Sequence, residues 1–241
     1  MSQFYVSPEN INGPVFRLDG AEAAHLLHVR RARKGDRIKL FDGMGNAWNA
    51  EIKETGKNTA EGLILERIYK APRQIKLKLC FAFPARKAFD DILERCTAAE
   101  VSVFQPVVTE RVQEFRRDWD KRIPRMKQIV MSACKQCERA DLPEILFPCT
   151  FDECIAGIKE QETAFIASFG GIHTSILPEK IKGRTELLLF IGPEGGFTEG
   201  EIKRAVLSGA VPLSLGANVL RAEDACFYAS MALTDCAALR K

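Results

Sequence analysis

The 241-residue sequence has no apolar run long enough for a membrane span or a secretory leader, and that absence points to a cytoplasmic protein with no membrane partner. It carries little net charge, a formal +3 from 35 Lys and Arg against 32 Asp and Glu. Affinity for a polyanion therefore has to come from local clusters rather than from the overall balance. Histidine is scarce: His25, His28 and His173 stand apart without metal-ligand spacing, none is a convincing base, and no metal is expected. Eight scattered cysteines include one C-x-x-C, Cys134 and Cys137, with no second pair or matching histidine. On a helix these two lie one turn apart on one face and read as packing residues, and the cysteines as a whole read as reduced thiols. There is no internal repeat or low-complexity segment. What is present is a 46% hydrophobic content, enough to bury a core as one large domain or two modest ones.

Up to about residue 69 the pattern is short β-type runs broken by turn signals, over 4–6, 15–18, 37–41, 48–52 and 62–69, with Asp42-Gly43 as a hairpin turn. This suggests a small antiparallel barrel. Residues 21–31 are the exception, with His25, Leu26, Val29 and Arg30 at helical spacing. A basic run follows, Arg30, Arg31, Arg33 and Lys34, which is either a solvated face or a phosphate contact. Pro72 closes this section, so the domains are expected at 1–72 and 73–241. Beyond it, strands fit 75–83, 102–107, 163–168, 186–191 and 211–215, and helices fit 85–100, 121–138, 198–207 and 222–239, an α/β alternation. The stretch 111–127 is the most basic of the chain, carrying Arg111, Arg116, Arg117, Lys121, Arg122, Arg125 and Lys127, and is a second candidate for contact with RNA.

Two segments carry the chemistry. The apolar strand over 186–191 runs into Gly192-Pro193-Glu194-Gly195-Gly196-Phe197 and then into a helix, where Thr198 with Glu201 forms a capping-box pattern. A glycine loop between the carboxyl end of a strand and a helix start is where ligands bind in α/β sheets. The loop is neither G-x-G-x-x-G nor a phosphate-binding loop ending in Gly-Lys-Ser/Thr, so the glycines alone leave the ligand open. A second strand, over 211–215, ends in Gly216-Ala217-Asn218-Val219-Leu220-Arg221 and enters another helix. The pair of loops makes a site.

Through Ile191-Gly192-Pro193-Glu194-Gly195-Gly196-Phe197-Thr198 and Leu215-Gly216-Ala217-Asn218-Val219-Leu220-Arg221-Ala222-Glu223, the chain resembles the ribosomal RNA small subunit methyltransferase E family, uridine-N3 methyltransferases of the SPOUT class. His25-Leu26-Leu27-His28-Val29-Arg30 with Gly35-Asp36, and Gln136, Arg139 and Pro143-Glu144-Ile145, resemble that family's amino-terminal and central segments. The likeness covers nearly the whole chain. It departs at Ala98-Ala99-Glu100, where Glu-Leu-Gly is usual, at Asp224, where Thr follows Arg-Ala-Glu, and at Lys135 and Cys137, in place of Glu and Ser. These departures bear on the surface that faces RNA.

The resemblance implies an α/β fold: a C-terminal trefoil-knotted SPOUT methyltransferase domain preceded by a small PUA-like β-barrel that grips RNA. It implies S-adenosylmethionine in a bend lined by Ser168 and Phe169, by Ile191, Gly192, Pro193, Glu194, Gly195 and Gly196, and by Leu213, Leu215, Gly216, Asn218, Val219 and Leu220. It also implies a homodimer acting on 16S ribosomal RNA of the small subunit. Methylation at uridine N3 needs the imide proton removed and the resulting charge stabilised. Arg221 is the expected cation for that charge. Glu223 is a candidate base, although a carboxylate is favoured in a first helical turn in any case. RNA contacts are expected from Arg30, Arg31, Arg33, Lys34, Arg111 and Arg139. Two alternatives stay open: a methyltransferase acting on another ribosomal or transfer RNA nucleotide, and a non-catalytic RNA-binding or assembly protein.

Overall fold

The computed structural model describes residues 3–69, 73–84, 86–112 and 119–238, the side chain of Arg86 excepted. Among these, the residues within Met1–Pro72 and Met131–Leu142 form one compact unit, and those within Arg73–Val130 and Pro143–Lys241 form another. Pro72, Ala85, Arg116, Arg117 and Leu239, which entered the sequence reading, lie outside the described residues.

In the first unit, alternation of buried and exposed positions produces β1 (Gln3–Tyr5), β2 (Ile11–Asn12), β3 (Val15–Leu18), β4 (Arg37–Phe41), β5 (Ala47–Thr55) and β6 (Ala60–Ile68). They form one sheet in the order β1-β4-β5-β6-β3-β2. It is antiparallel except that β1 lies parallel to β4, which alternation cannot reveal. Phe16, Leu18, Leu40 and Ile52 are buried on its inner face. The hairpin expected at Asp42-Gly43 exists, but its turn is longer. Phe41 pairs with Ala47, and Asp42 Oδ1 accepts from the amides of Met44 at 2.8 Å and Asn46 at 3.1 Å, so the side chain rather than a two-residue turn organises the loop. The helix expected over 21–31 is a short α1 (Gly20–Ala24) continued by a widened turn, His25–Val29, in which Arg30 N bonds His25 O at 3.1 Å.

Residues 131–142 return to this unit from far along the chain. Gln3 Nε2 donates to Cys134 O at 3.0 Å and to Arg139 O at 2.5 Å. Lys135 pairs with Glu22 at 2.7 Å, and Glu138 with Lys39 at 2.8 Å.

The second unit is built on strands β7 (Lys76–Ala82), β8 (Val103–Val108), β9 (Glu144–Ile145), β10 (Cys149–Thr150), β11 (Thr163–His173), β12 (Glu186–Ile191) and β13 (Val211–Ser214), all paired in parallel in the order β10-β8-β7-β12-β11-β13 with β9 beside β8. Five consecutive residues of β12, from Leu187 to Ile191, are buried, as a strand covered on both faces requires. The helices are α2 (Arg86–Ala98), α3 (Trp119–Cys137), of which the residues from Met131 on belong to the first unit, α4 (Phe151–Ala156), α5 (Leu177–Lys180), α6 (Glu199–Leu207) and α7 (Ala222–Ala238). Helix α4 escaped the sequence reading because six residues hold too little periodicity, although a capping box, Thr150 with Glu153, opens it. Strand β11 runs five residues further than expected, because a bulge between Ala167 and Ile172 lets pairing with β13 resume beyond it. No helix among the described residues is long and apolar enough to cross a membrane.

Candidate functional site

The strand order β12-β11-β13 sets three carboxyl ends side by side, and three loops leave from them. At β11 the bulge carries Ser168, Phe169, Gly170 and Gly171. Only glycine fits at Gly171, where a Cβ would stand 2.6 Å from the backbone N of Leu213. At β12 the chain enters the loop Gly192–Phe197, and Gly196 N closes a turn on Pro193 O at 2.7 Å. A Cβ on Gly192 would come within 2.9 Å of Phe197 N, so this glycine allows the loop to fold tightly over itself. At β13 the loop from Leu215 to Arg221 leads into α7.

Between these loops lies a cavity of about 530 Å³, within the usual size of a small-ligand site. Of the residues the sequence nominated for cofactor, Ser168, Phe169, Ile191, Gly192, Pro193, Glu194, Gly195, Gly196, Leu215, Gly216, Asn218, Val219 and Leu220 line it. Leu213 does not. It is fully buried in β13 and pairs with Ala167 and Ile172, so it supports the wall from behind. Arg221 and Glu223 are also absent from the lining, although their neighbours Leu220 and Ala222 belong to it. The Arg221 side chain is exposed and makes no hydrogen bond or ion pair among the described residues. The lining also contains Phe197 and Ala222, which fall within the two segments the sequence reading picked out, and Ala167, Glu199, Ile202 and Ala225, which it did not include.

Glycine backbone and apolar walls dominate the cavity, and its ionisable lining residues are two carboxylates, Glu194 and Glu199. Such a lining suits a ligand that offers a flat ring to backbone groups and carries positive charge. S-adenosylmethionine has both features, so the residues present fit it.

The first loop is braced from outside by a network that the sequence reading saw only as a helix start. Glu201 is fully buried, and its carboxylate accepts from Thr198 N at 2.8 Å and from Glu110 N at 2.9 Å. Its own amide donates to Thr198 Oγ1 at 3.1 Å. The Thr198 hydroxyl donates to Glu110 at 3.0 Å, and Arg204 bridges Glu110 and Asp152 at 2.9 Å each. The bonds from Arg204, and then from Thr198, hold the Glu110 carboxyl below the usual carboxylate range.

Arg111, nominated for RNA, instead places Nη1 on the carbonyls of Gly195 and Gly196. Arg139 is 7% exposed and pairs with Asp141 at 3.0 Å, so its guanidinium is turned into its own unit rather than toward solvent. Arg30, Arg31, Arg33 and Lys34 are all exposed. Arg31 holds a left-handed backbone, φ 54°, just after the widened turn.

The departures from the family pattern are occupied locally. Glu100 takes φ 64° where the pattern has Gly, and Val101 N bonds Cys96 O at 3.0 Å to close α2. Asp224 pairs with Arg95 at 2.8 Å, and Arg95 also lies over the ring of Phe227. Lys135 pairs with Glu22. All eight cysteines are free. Cys134 is buried and Cys137 exposed, so the C-x-x-C does not converge on one point. Burial pushes the Cys96 thiol up to about 12, so it stays protonated at neutral pH. Among the described residues no group of three or more His, Cys, Asp or Glu is placed to hold a metal ion.

Comparison with known proteins agrees with this geometry. Residues 71–234 match the family described as RNA methyltransferase domain, and residues 18–65 match the RNA methyltransferase PUA domain. The ribosomal RNA small subunit methyltransferase E of Synechocystis sp. is 31% identical over 224 residues, covering 91% of this chain and 73% of that protein. Its namesake in Bacillus subtilis is 28% identical over 236 residues, covering 92% of this chain and 90% of its own. The crystal structure of a ribosomal RNA small subunit methyltransferase E from Neisseria gonorrhoeae bound to S-adenosyl methionine superposes with a TM-score of 0.87 at 28% identity, over 98% of this chain and 97% of that one.

Proposed function

The chain belongs to the ribosomal RNA small subunit methyltransferase E family, and from that premise we propose that it methylates N3 of a uridine in 16S ribosomal RNA with S-adenosylmethionine. The observation that carries this reading is the convergence of both glycine loops on one cavity of about 530 Å³. Gly192, Gly195, Gly196 and Gly216 let backbone approach the cofactor, while Ile191, Leu215 and Leu220 supply apolar walls. When bound, S-adenosylmethionine supplies an electrophilic methyl on a sulfonium; a bond forms from the methyl to N3 as the bond to sulfur breaks, leaving S-adenosylhomocysteine.

Arg221 falls between Leu220 and Ala222, which line the cavity, and its exposed guanidinium is our candidate to meet the anion spread over N3 and the two ring oxygens. Glu223, half-buried two residues later in the first turn of α7, is our candidate to take the imide proton. The PUA-like unit, with Arg30, Arg31, Arg33 and Lys34 exposed, is assigned to grip RNA. A trefoil knot in the second unit, a cytoplasmic location and a homodimer belong to the same proposal. The exposed Tyr228 and Met231 on α7 support the dimer. A monomeric mass in sedimentation would contradict it.

The decisive experiment maps modified uridines in ribosomal RNA from cells lacking the gene. Loss of one N3-methyluridine from 16S RNA is expected, restored by the intact gene. An unchanged 16S map overturns the assignment.

A further inference from the structure

The loop after β12 turns two carbonyls, of Gly195 and Gly196, toward one side chain. Both accept from Nη1 of Arg111, Gly196 O at 3.3 Å and Gly195 O more closely. The side chain runs along the loop, since a Cβ on Gly195 would stand 3.5 Å from Arg111 Cδ. Arg111 itself is not adrift. It follows β8, and its neighbour Glu110 is fixed to the start of α6 through Glu201 at 2.9 Å, Thr198 at 3.0 Å and Arg204 at 2.9 Å. The chain on which the guanidinium is mounted and the helix that the loop enters are therefore tied together, and the guanidinium spans the gap between them.

Peptide planarity carries the effect inward. Fixing the Gly196 carbonyl fixes the plane of the following peptide, and with it the direction of Phe197 N–H, which faces Gly192 across the fold of the loop. Gly192, Gly195, Gly196 and Phe197 all line the cavity. A charged donor on backbone carbonyls is among the stronger hydrogen bonds available to an exposed side chain.

We infer that Arg111 is a positioning residue for the cofactor: it holds the Gly195–Gly196 backbone in the shape that receives S-adenosylmethionine, rather than serving RNA affinity. The inference rests on the proposed function and deepens it. In the RNA-binding reading of this basic stretch, Arg111 acts on a phosphate; here it acts through the loop, and the two roles give opposite results in one experiment.

Full-length wild type, Arg111→Ala and Arg111→Lys are titrated calorimetrically with S-adenosylmethionine in the absence of RNA, and separately with small-subunit ribosomal RNA. Arg111→Ala is expected to weaken cofactor binding about tenfold, as loss of a charge-assisted hydrogen bond implies. KM for the cofactor should rise in step, with kcat at saturating cofactor and RNA affinity both within about twofold of wild type. Arg111→Lys, which keeps a charged donor but loses the planar fork, should recover part of the cofactor affinity. Unchanged cofactor affinity in Arg111→Ala overturns the inference, and weakened RNA binding in the same variant would return the residue to the RNA surface. An equal fall in both affinities with a lowered melting temperature also overturns it, as the mark of a merely structural role. If wild type itself binds no S-adenosylmethionine, the proposed function fails and this inference with it.

Discussion

Between Ile191 and Thr198 the chain is tied on several sides: a turn closes Gly196 on Pro193, Arg111 takes two carbonyls, and the buried Glu201 carboxylate caps the helix that follows. Between Leu215 and Arg221 the hydrogen bond recorded within the loop among the described residues is Gly216 N to Ser214 Oγ, at 3.4 Å. Gly216, Ala217, Asn218 and Val219 are exposed there, Val219 by 74%. Both loops leave parallel strands and enter helices, so the local plan is the same. What differs is the outer support, and the difference suggests a division of work. A braced loop presents backbone to a ligand in one fixed shape; an exposed loop adjusts to what arrives, and it is the loop that carries Arg221.

The sharpest way to break this division is Arg221→Ala. Removal of a cation that acts on charge developed in the reaction is expected to lower kcat about a hundredfold, close to the loss of one oxyanion donor. Cofactor affinity measured by calorimetry should stay near wild type. A matching loss in both would place Arg221 with the cofactor and end the distinction between the loops.

Gly192→Ala tests the braced side. The added Cβ would meet Phe197 N at 2.9 Å and Phe197 Cδ2 at 3.1 Å, and Phe197 has little room to retreat because it is buried against Phe151, ring to ring at 5.2 Å. Overpacking of this kind costs about 2 kcal/mol; the free loop relieves it by leaving its present shape, and restoring that shape on binding costs the same amount, so cofactor affinity should fall about thirtyfold. Wild-type affinity would show the first loop to be as adaptable as the second. Glu201→Gln goes a step further out. An amide offers one oxygen where the carboxylate satisfies two amides, Thr198 N and Glu110 N, and one of them is left unpaired. The cost is about 1.5 kcal/mol of stability, read as a melting temperature lower by roughly 4 °C. No change would mean that the bracing is ornamental.

How far the sequence reached follows from the same contrast. Glycines directly after apolar strands are local signals, and the two loops they marked meet at the cavity; the individual cofactor residues came from the resemblance, and of these Leu213 stays out of the lining because alternation along β13 turns it into the core. The capping box at Thr198 and Glu201 was also legible, but its second role was not, since Glu110 lies 91 residues earlier and only the fold brings its amide to Glu201. The partners of Arg111 and Arg139 were not legible from charge alone for a related reason. A cluster of arginines predicts positive potential, whereas the partner each guanidinium takes, loop carbonyls in one case and Asp141 in the other, depends on tertiary placement. Glu100 shows the reverse case. The departure from Gly was visible, and the structure supplies its meaning as a left-handed helix end.

The outermost brace gives the mildest test, one that turns on protonation. Arg204, and after it Thr198, hold the Glu110 carboxyl below the usual carboxylate range. A carboxyl whose folded value is depressed binds its proton more readily when unfolded, so its contribution to stability is present above the unfolded value and is lost as pH falls through the folded one. The side chain is about half exposed, so solvent screens most of the interaction and the effect on melting is small. Glu110→Gln removes the charge but leaves Asp152 on Arg204 at 2.9 Å and leaves the backbone amide of residue 110 on Glu201. The melting temperatures of wild type and Glu110→Gln should therefore differ by a constant small gap at neutral pH, and that gap should close as the pH drops below the carboxylate range. A gap that persists in acid would mean that geometry rather than charge joins this residue to α6, and the brace on the first loop would then rest on Glu201 and Arg111 alone.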